Sequence, residues 1–281
     1  MKEEHQKDLF LQNTMRLHSI ADVVYSPETS EELQVLLNQL ESDYILLAAG
    51  SNVILPPQLH RPVISIMSLN EKMELLEDGR VNVGCSVRIQ SLIRFLQQHN
   101  LGGIEYLFSV PASVGGLVYM NGGRGKSKNM AISDYLESVE YLDLNDMAIK
   151  QYMKKTADFS YRHSPFQDMN AVILSVIFKF KTQEQDITER LIKERLDYSK
   201  HNLSADKPSC GTTFCTGNRY LFWLLRGHRV GGAMFSKKTS NWISNVDNAT
   251  YEDVCSLIRR AQTVHKLFLC SCQPEVKIIK E

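Results

Sequence analysis

The stretch KPSCGTTFCTG, residues 207–217, gathers two cysteines, three threonines, a serine and two glycines into eleven positions. Four chemistries draw on such groups: a metal clip, a thiol nucleophile, a phosphate cradle, or the seat of a hydroxyl that donates a proton. Structural zinc wants paired cysteines with further cysteines or histidines at a set spacing. Cys270 and Cys272 are separated by a single residue, and no histidine follows either cysteine pair in the usual pattern. No metal site is expected. A nucleophilic cysteine needs a neighbouring base, and no His–Asp partner can be chosen from this sequence. Buried structural thiols are the plainer reading.

Other stretches carry chemically able residues. Gly50-Ser51-Asn52 follows the apolar run YILLAA, and SVPASVGG occupies 109–116. Glycine lets backbone N–H groups come close to an anion, and successive N–H groups form a nest for phosphate. Neither loop is a GxGxxG or a P-loop, so neither fingerprint supports a Rossmann dinucleotide site or an NTPase. Singly, each is an ordinary tight turn. Together they suit a large phosphorylated ligand held at two places. Arg162, in YRHS, is either a surface arginine or a fork for a carboxylate or phosphate. Glu275, in QPEVKII, is either solvated or buried among Val276, Ile278 and Ile279. Burial would raise its pKa and let it work as an acid. RGHRVGG (226–232) reads as a helix end.

The elements that must position these residues follow from pattern. SPETSEELQVLLNQL is a helix with Thr29 and Glu32 as a capping box and Leu33, Leu36, Leu37 and Leu40 on one face. YILLAA and PVISIM are strands. KMELLEDGRVNVG is a hairpin turning at Asp78-Gly79. VRIQSLIRFLQQHN is an amphipathic helix that stops before Gly102-Gly103. SVPASVGGLVYMNGGRG reads as glycine-rich loop. YLESVEYLDL, AIKQYM and AVILSVIFKF are strands, and ITERLIKERLDYS is a charged helix placed to bridge domains. RYLFWLLRGH and TYEDVCSLIRRAQTVHKLF are helices, and PEVKII is a closing strand. The alternation lacks a regular βαβα rhythm, which argues α+β with several subdomains.

Bulk composition narrows the classes. Lys+Arg and Asp+Glu are equal at 32 each, without the basic excess of a nucleic-acid binder. MKEEHQKDLF has no apolar core, so no signal peptide is read there. The longest apolar runs fall far short of a bilayer span. The expectation is a soluble cytoplasmic protein with six reduced cysteines, no nucleic-acid partner and no membrane partner. Oligomeric state is not legible.

The order of these pieces is informative. QNT (12–14), AAGSN (48–52), VGCSVRIQSLI (83–93), GIEYLFSVPASVGGLVYMNGG (103–123), FSYRHSPF (159–166), PSCGTTF (208–214), GGAMFSKKTSNWISN (231–245) and QPEVKII (273–279) run nearly end to end. The series resembles the UDP-N-acetylenolpyruvoylglucosamine reductase family, the MurB flavoenzymes. That resemblance implies an α+β chain of three subdomains. Residues 1–67, with a terminal strand at 274–281, and residues 68–200 would form a PCMH/VAO-like FAD-binding unit. Residues 201–273 would form an α+β domain binding a UDP-sugar.

The resemblance also implies roles. Gly50, Ser51 and Asn52 would hold the FAD pyrophosphate with Ser109, Val110, Pro111, Ser113, Gly115, Gly116 and Asn121. NADPH would be the reductant in a ping-pong cycle that turns UDP-N-acetylglucosamine enolpyruvate into UDP-N-acetylmuramate, a peptidoglycan precursor. Arg162 and Glu275 match positions that stabilise charge on the enolpyruvyl carboxylate. The proton-donor pattern AGS-x-F reads Cys210-Gly211-Thr212-Thr213-Phe214 here, which gives that role to Thr212.

Departures cluster around flavin and substrate. Threonine replaces serine at the donor position, adding a methyl that stiffens χ1. Cys215-Thr216-Gly217 replaces a basic, proline-containing triplet, and Pro111-Ala112 replaces Pro-Gly. Asn121-Gly122-Gly123-Arg124-Gly125 replaces Asn-Ala-Gly-Ala-Tyr-Gly. The short span from Phe180 to Pro208 matches the subtype without a tyrosine loop over the substrate. Two competing readings stay open: a paralogue acting on another nucleotide sugar or small acid, and a flavin-binding module without turnover.

Overall fold

The apolar run AVILSVIF forms the centre of the larger sheet. In this computed structural model, which describes residues 1–40, 43–124, 130–204 and 206–281, strand Ala171–Phe178 is flanked on both sides and its middle five residues are buried. A strand covered on both faces reads as a continuous apolar stretch. Its antiparallel neighbours are Leu136–Asp143 and Val81–Gly84, with Ala148–Met153 and Met73–Leu75 at the edges. Edge strand Ala148–Met153 alternates half-buried and exposed residues, the period-2 pattern of a sheet with one covered face. The Asp78-Gly79 hairpin forms as read, with Gly79 at φ 79°.

Helix Ile89–Gln98 buries Ile89, Leu92, Ile93 and Leu96, the i, i+3, i+4, i+7 stripe its periodicity predicts. Helix Ser30–Leu40 starts where expected, but its cap differs. Thr29 accepts from the Glu32 N–H at 3.2 Å, whereas the Glu32 carboxylate accepts from Glu28 N at 2.9 Å, one residue before the expected partner.

The chain divides into two compact units. The first comprises Met1–Glu3, Tyr25–Ala49 and Ile64–Leu196; the second comprises Glu4–Val24, Gly50–Val63 and Asp197–Glu281. Helix Gln185–Asn202 contains the division. The first unit's core joins the large sheet to helices Ser30–Leu40 and Ile89–Gln98, with Phe166 and Phe178 fully buried at its centre.

The second unit holds an antiparallel sheet in the order Ser209–Thr212, Trp242–Asn245, Ala233–Phe235, Arg229–Val230. Helix Tyr251–Leu267 contacts it and buries Val254, Leu257, Ile258 and Ala261. A capping box starts that helix: Thr250 accepts from Asp253 N, and Asp253 accepts from Thr250 N at 2.9 Å.

Two sequence expectations need correction. SVPASVGG is not all loop, because Val114–Tyr119 is a short helix that takes in Gly115 and Gly116. Glycine lowers helix propensity, but a Ser113 cap and burial of Val114, Leu117 and Val118 outweigh it. PEVKII is also not one strand. Gln273–Pro274 pairs with Phe214–Thr216, while Lys277–Ile278 pairs in parallel with Val53–Ile54. Gly125 lies outside the described residues. No helix among the described residues is long and apolar enough to cross a membrane.

Candidate active site

Five of the predicted site residues, Gly50, Ser51, Asn52, Thr212 and Glu275, belong to the second unit. The other eight belong to the first. Each group is coherent within its own unit.

In the second unit, the GSN turn is built against QNT. Asn13 is 2% exposed, and its amide donates to the carbonyls of Leu9 and Leu17 while its Oδ1 accepts from Leu17 N at 3.0 Å. This bracing holds the 9–17 turn firmly. Thr14 N then donates to Gly50 O at 3.0 Å, and Thr14 Oγ1 lies 3.4 Å from Ser51 O. Gly50 sits at φ +63°, and a Cβ there would lie 1.9 Å from the Gln12 carbonyl oxygen. Both conformation and space demand glycine. Gly50→Ala is expected to cost roughly 3 kcal/mol or more. Thermal melts of the variant check this, and an unchanged Tm would contradict it.

The turn continues directly to the acid. Asn52 Nδ2 donates to Glu275 O at 3.1 Å, and Lys277 N donates to Asn52 O at 2.9 Å. Glu275 N in turn donates to Thr213 O at 2.8 Å. Val276 N also points to Thr213 O at 3.4 Å, so backbone hydrogen bonds tie the acid-bearing segment to the hydroxyl loop. Thr212 is half-buried and pairs with Trp242 across a bulge. Gly211 before it takes φ +73°, the bend that lets the strand turn. Glu275 is half-buried, with its Oε2 shielded from solvent.

Asn241 is a residue the sequence reading missed. At φ 64° it donates from Nδ2 to Phe214 O and accepts at Oδ1 from Phe214 N, both at 2.8 Å. Its own carbonyl accepts from Thr213 N. Asparagine tolerates the left-handed region, and here it clamps the loop just beyond Thr212. The only sequence signal was a lone Asn flanking a strand.

Cys210 of the opening motif is a structural thiol. Cys210 Sγ lies 3.3 Å from Val53 O, and burial pushes its thiol up to about 12. Burial likewise raises Cys85 to about 11. Such thiols are protonated and unreactive at neutral pH. Alkylation of the native protein at neutral pH is expected to spare Cys85 and Cys210, read by peptide mass spectrometry. Labelling as fast as in the denatured chain would contradict it.

In the first unit, Ser109 accepts from Arg195 Nε at 2.8 Å, and Gln90 Nε2 donates to Val110 O at 2.7 Å. Pro111 is exposed. Ser113 caps Val114–Tyr119 and accepts from Gly116 N. Val114 N donates to Val87 O and Gly115 N to Cys85 O, both at 2.9 Å. The N–H groups of Val114, Gly115 and Gly116 are thus engaged inside the protein, so they do not form an open phosphate nest. Gly115 answers a packing need, since a Cβ there would lie 2.8 Å from Cys85 Cβ.

Arg162 and Asn121 come together. Arg162 occupies a turn closed by mutual Ser160–His163 backbone hydrogen bonds, at φ 60°. A bulky residue in that region marks a strained position. The turn is fastened on one side by Gln167 Nε2, which donates to Arg162 O and Tyr119 O. Asn121 Nδ2 fastens the other side, donating to Ser160 O at 2.7 Å. Asn121 is 5% exposed and itself at φ 43°, and its Oδ1 has no hydrogen-bond partner among the described residues. A buried acceptor left this way calls for a partner such as a water, an ion or a ligand donor.

Comparison with known proteins accords with this layout. A family model described as "FAD binding domain" matches residues 21–149. Another, described as "UDP-N-acetylenolpyruvoylglucosamine reductase, C-terminal domain", matches 203–279. The chain is 30% identical to the UDP-N-acetylenolpyruvoylglucosamine reductase of Pelobacter propionicus, covering 95% of this chain and 92% of that protein. It is 31% identical to the enzyme of that name from Fusobacterium nucleatum, covering 95% and 96%. The crystal structure of MurB from Thermus caldophilus superposes with a TM-score of 0.79 at 25% identity, covering 99% and 98% of the two chains.

Proposed function

Because the chain belongs to the UDP-N-acetylenolpyruvoylglucosamine reductase family, we propose that it is an FAD-dependent reductase using NADPH. Its substrate in this reading is UDP-N-acetylglucosamine enolpyruvate, its product is UDP-N-acetylmuramate, and it works in the cytoplasm on a peptidoglycan precursor. The residues suit a flavin nucleotide. Asn121 Oδ1 is a buried acceptor without a donor among the described residues, and Gly50 makes a tight turn packed against the Gln12 carbonyl. Asn121 and the Gly50–Asn52 turn would hold the cofactor, with Ser109, Val110, Pro111, Ser113, Gly115 and Gly116 shaping its second flank. Bound there, FAD would supply two-electron redox chemistry between NADPH and the enolpyruvyl double bond.

Hydride addition at the methylene carbon places negative charge on the adjacent carbon and its carboxylate. In this reading Arg162 and Glu275 stabilise that charge. The Thr212 hydroxyl gives its proton to the adjacent carbon, completing the reduction of the carbon–carbon double bond to a single bond. The observation that carries the proposal is the Glu275 N to Thr213 O bond, which holds acid and hydroxyl loop in one fixed arrangement. The domain reading that goes with it takes 1–67 with 274–281 and 68–200 for FAD, and 201–273 for the UDP-sugar.

The test is substrate-dependent NADPH oxidation, with a product two hydrogens heavier than the enolpyruvyl sugar. The altered sequence Thr212–Gly217 favours one other reading, a paralogue with a different acceptor. NADPH oxidation supported by another nucleotide sugar, but not by this one, would select it.

A further inference from the structure

Charge is distributed unevenly along this neutral chain. From Lys207 to Val246 there are six Lys/Arg and no Asp or Glu, and from Val254 to Pro274 there are three more and again no acid. Both segments lie in the second unit. Arg229 and Arg259 pair with Asp247 and Glu252 at their margins. Arg219, Arg226, Arg260 and Lys266 have no acidic partner among the described residues.

The same two segments expose their largest apolar side chains. Helix Arg219–Leu224 turns Phe222 and Leu221 inward and presents Tyr220, Trp223 and Leu224 at 63%, 59% and 58% exposure. Those three stand at i, i+3 and i+4, a single apolar stripe on the wet side of the helix. At the end of helix Tyr251–Leu267, Leu267, Phe268 and Leu269 are 76%, 63% and 98% exposed. Leu269 also adopts φ 54°, a strained conformation that holds an apolar side chain in solvent. The segments that carry the two groups adjoin through their buried sides. Phe222 packs on His265 with ring centroids 4.5 Å apart, and Asn218 N donates to His265 Nε2 at 3.0 Å.

From this geometry we infer that the Tyr220–Leu224 and Leu267–Leu269 surface docks reversibly on an anionic lipid bilayer. Exposed apolar and aromatic side chains flanked along the chain by Arg and Lys without acidic partners are what an interfacial segment needs: wedges for the acyl boundary and cations for the headgroups. No helix among the described residues is long and apolar enough to cross a bilayer, and lying on one does not need such a helix. A second copy of this chain suits the surface poorly, because a two-fold contact would bring the cationic rims together. The inference does not depend on the catalytic reading, since none of these residues is placed in the reaction.

The test is flotation of the full-length protein with vesicles of phosphatidylcholine alone and vesicles also containing phosphatidylglycerol. Co-flotation only with the anionic vesicles, weakened by added salt, is expected. Arg260→Gln with Lys266→Gln should weaken binding roughly thirtyfold. Trp223→Ser with Leu269→Ser should abolish it, with an unchanged melting temperature as the folding control. Equal binding to both vesicle types, no binding, or unaltered binding by the variants would overturn the inference. Dimerisation on gel filtration that the serine variant abolishes, without vesicle binding, would assign the surface to a second copy instead.

Discussion

Thr212→Val is expected to slow hydride and proton delivery to the enolpyruvyl sugar by about 10²–10⁴-fold. Reduction by NADPH should proceed at the wild-type rate. Valine keeps the branched shape of threonine and removes only the hydroxyl. Thr212 is half-buried on a strand whose next residue, Thr213, is 3% exposed and accepts through its Oγ1 from Ile243 N at 3.1 Å. The fold around the position is therefore held by Thr213 and Asn241, not by the Thr212 side chain. Single-turnover kinetics of the two half-reactions separate the outcomes. Equal slowing of both would remove Thr212 from the donor role and point to a packing effect.

Glu275→Gln is expected to slow the second half-reaction by about 10²–10³-fold, again without affecting the first. The substitution keeps the side chain's size and leaves the backbone ties to Thr213 O and Asn52 Nδ2 in place. What it removes is the carboxyl group's acidity, which in the proposed reading stabilises charge developing on the substrate. Reoxidation by the enolpyruvyl sugar at an unaltered rate would exclude Glu275 from the chemistry. Together the two substitutions form a cycle: if hydroxyl and acid act on one transition state, the double variant should lose less than the product of the single losses.

Much of the framework was legible in the sequence because its signals are periodic. The Ile89–Gln98 stripe, the continuous apolar run of Ala171–Phe178 and the Asp78-Gly79 turn each name their element without tertiary information. The Val114–Tyr119 helix was hidden because two glycines argue against a helix locally, while burial and the Ser113 cap decide it. The break in the terminal strand was hidden for a similar reason. Glu275 and Val276 turn both their N–H groups toward Thr213 O, a partner sixty residues earlier that no local pattern announces.

The site divides in the same way. Thr212, Arg162 and Glu275 stood out only through the order of motifs along the chain. Asn13, Asn121 and Asn241 hold their loops through single side-chain amides, two of them with a left-handed backbone. An isolated asparagine has no periodicity and no partner in sequence, so its role as a clamp becomes visible only when the carbonyls it reaches are in view. The engagement of the SVPASVGG backbone was hidden for the converse reason. Glycines announce freedom of the backbone, but not whether Val87 and Cys85 already accept its N–H groups.

The most direct test of the account follows the flavin absorbance by stopped flow. The protein is reduced anaerobically with NADPH and then mixed with UDP-N-acetylglucosamine enolpyruvate. The account predicts rapid return of the oxidised spectrum in the wild type and a slow return in Thr212→Val. A wild-type protein that is reduced by NADPH but stays reduced on mixing would contradict it, and would mean that the acceptor is a different molecule.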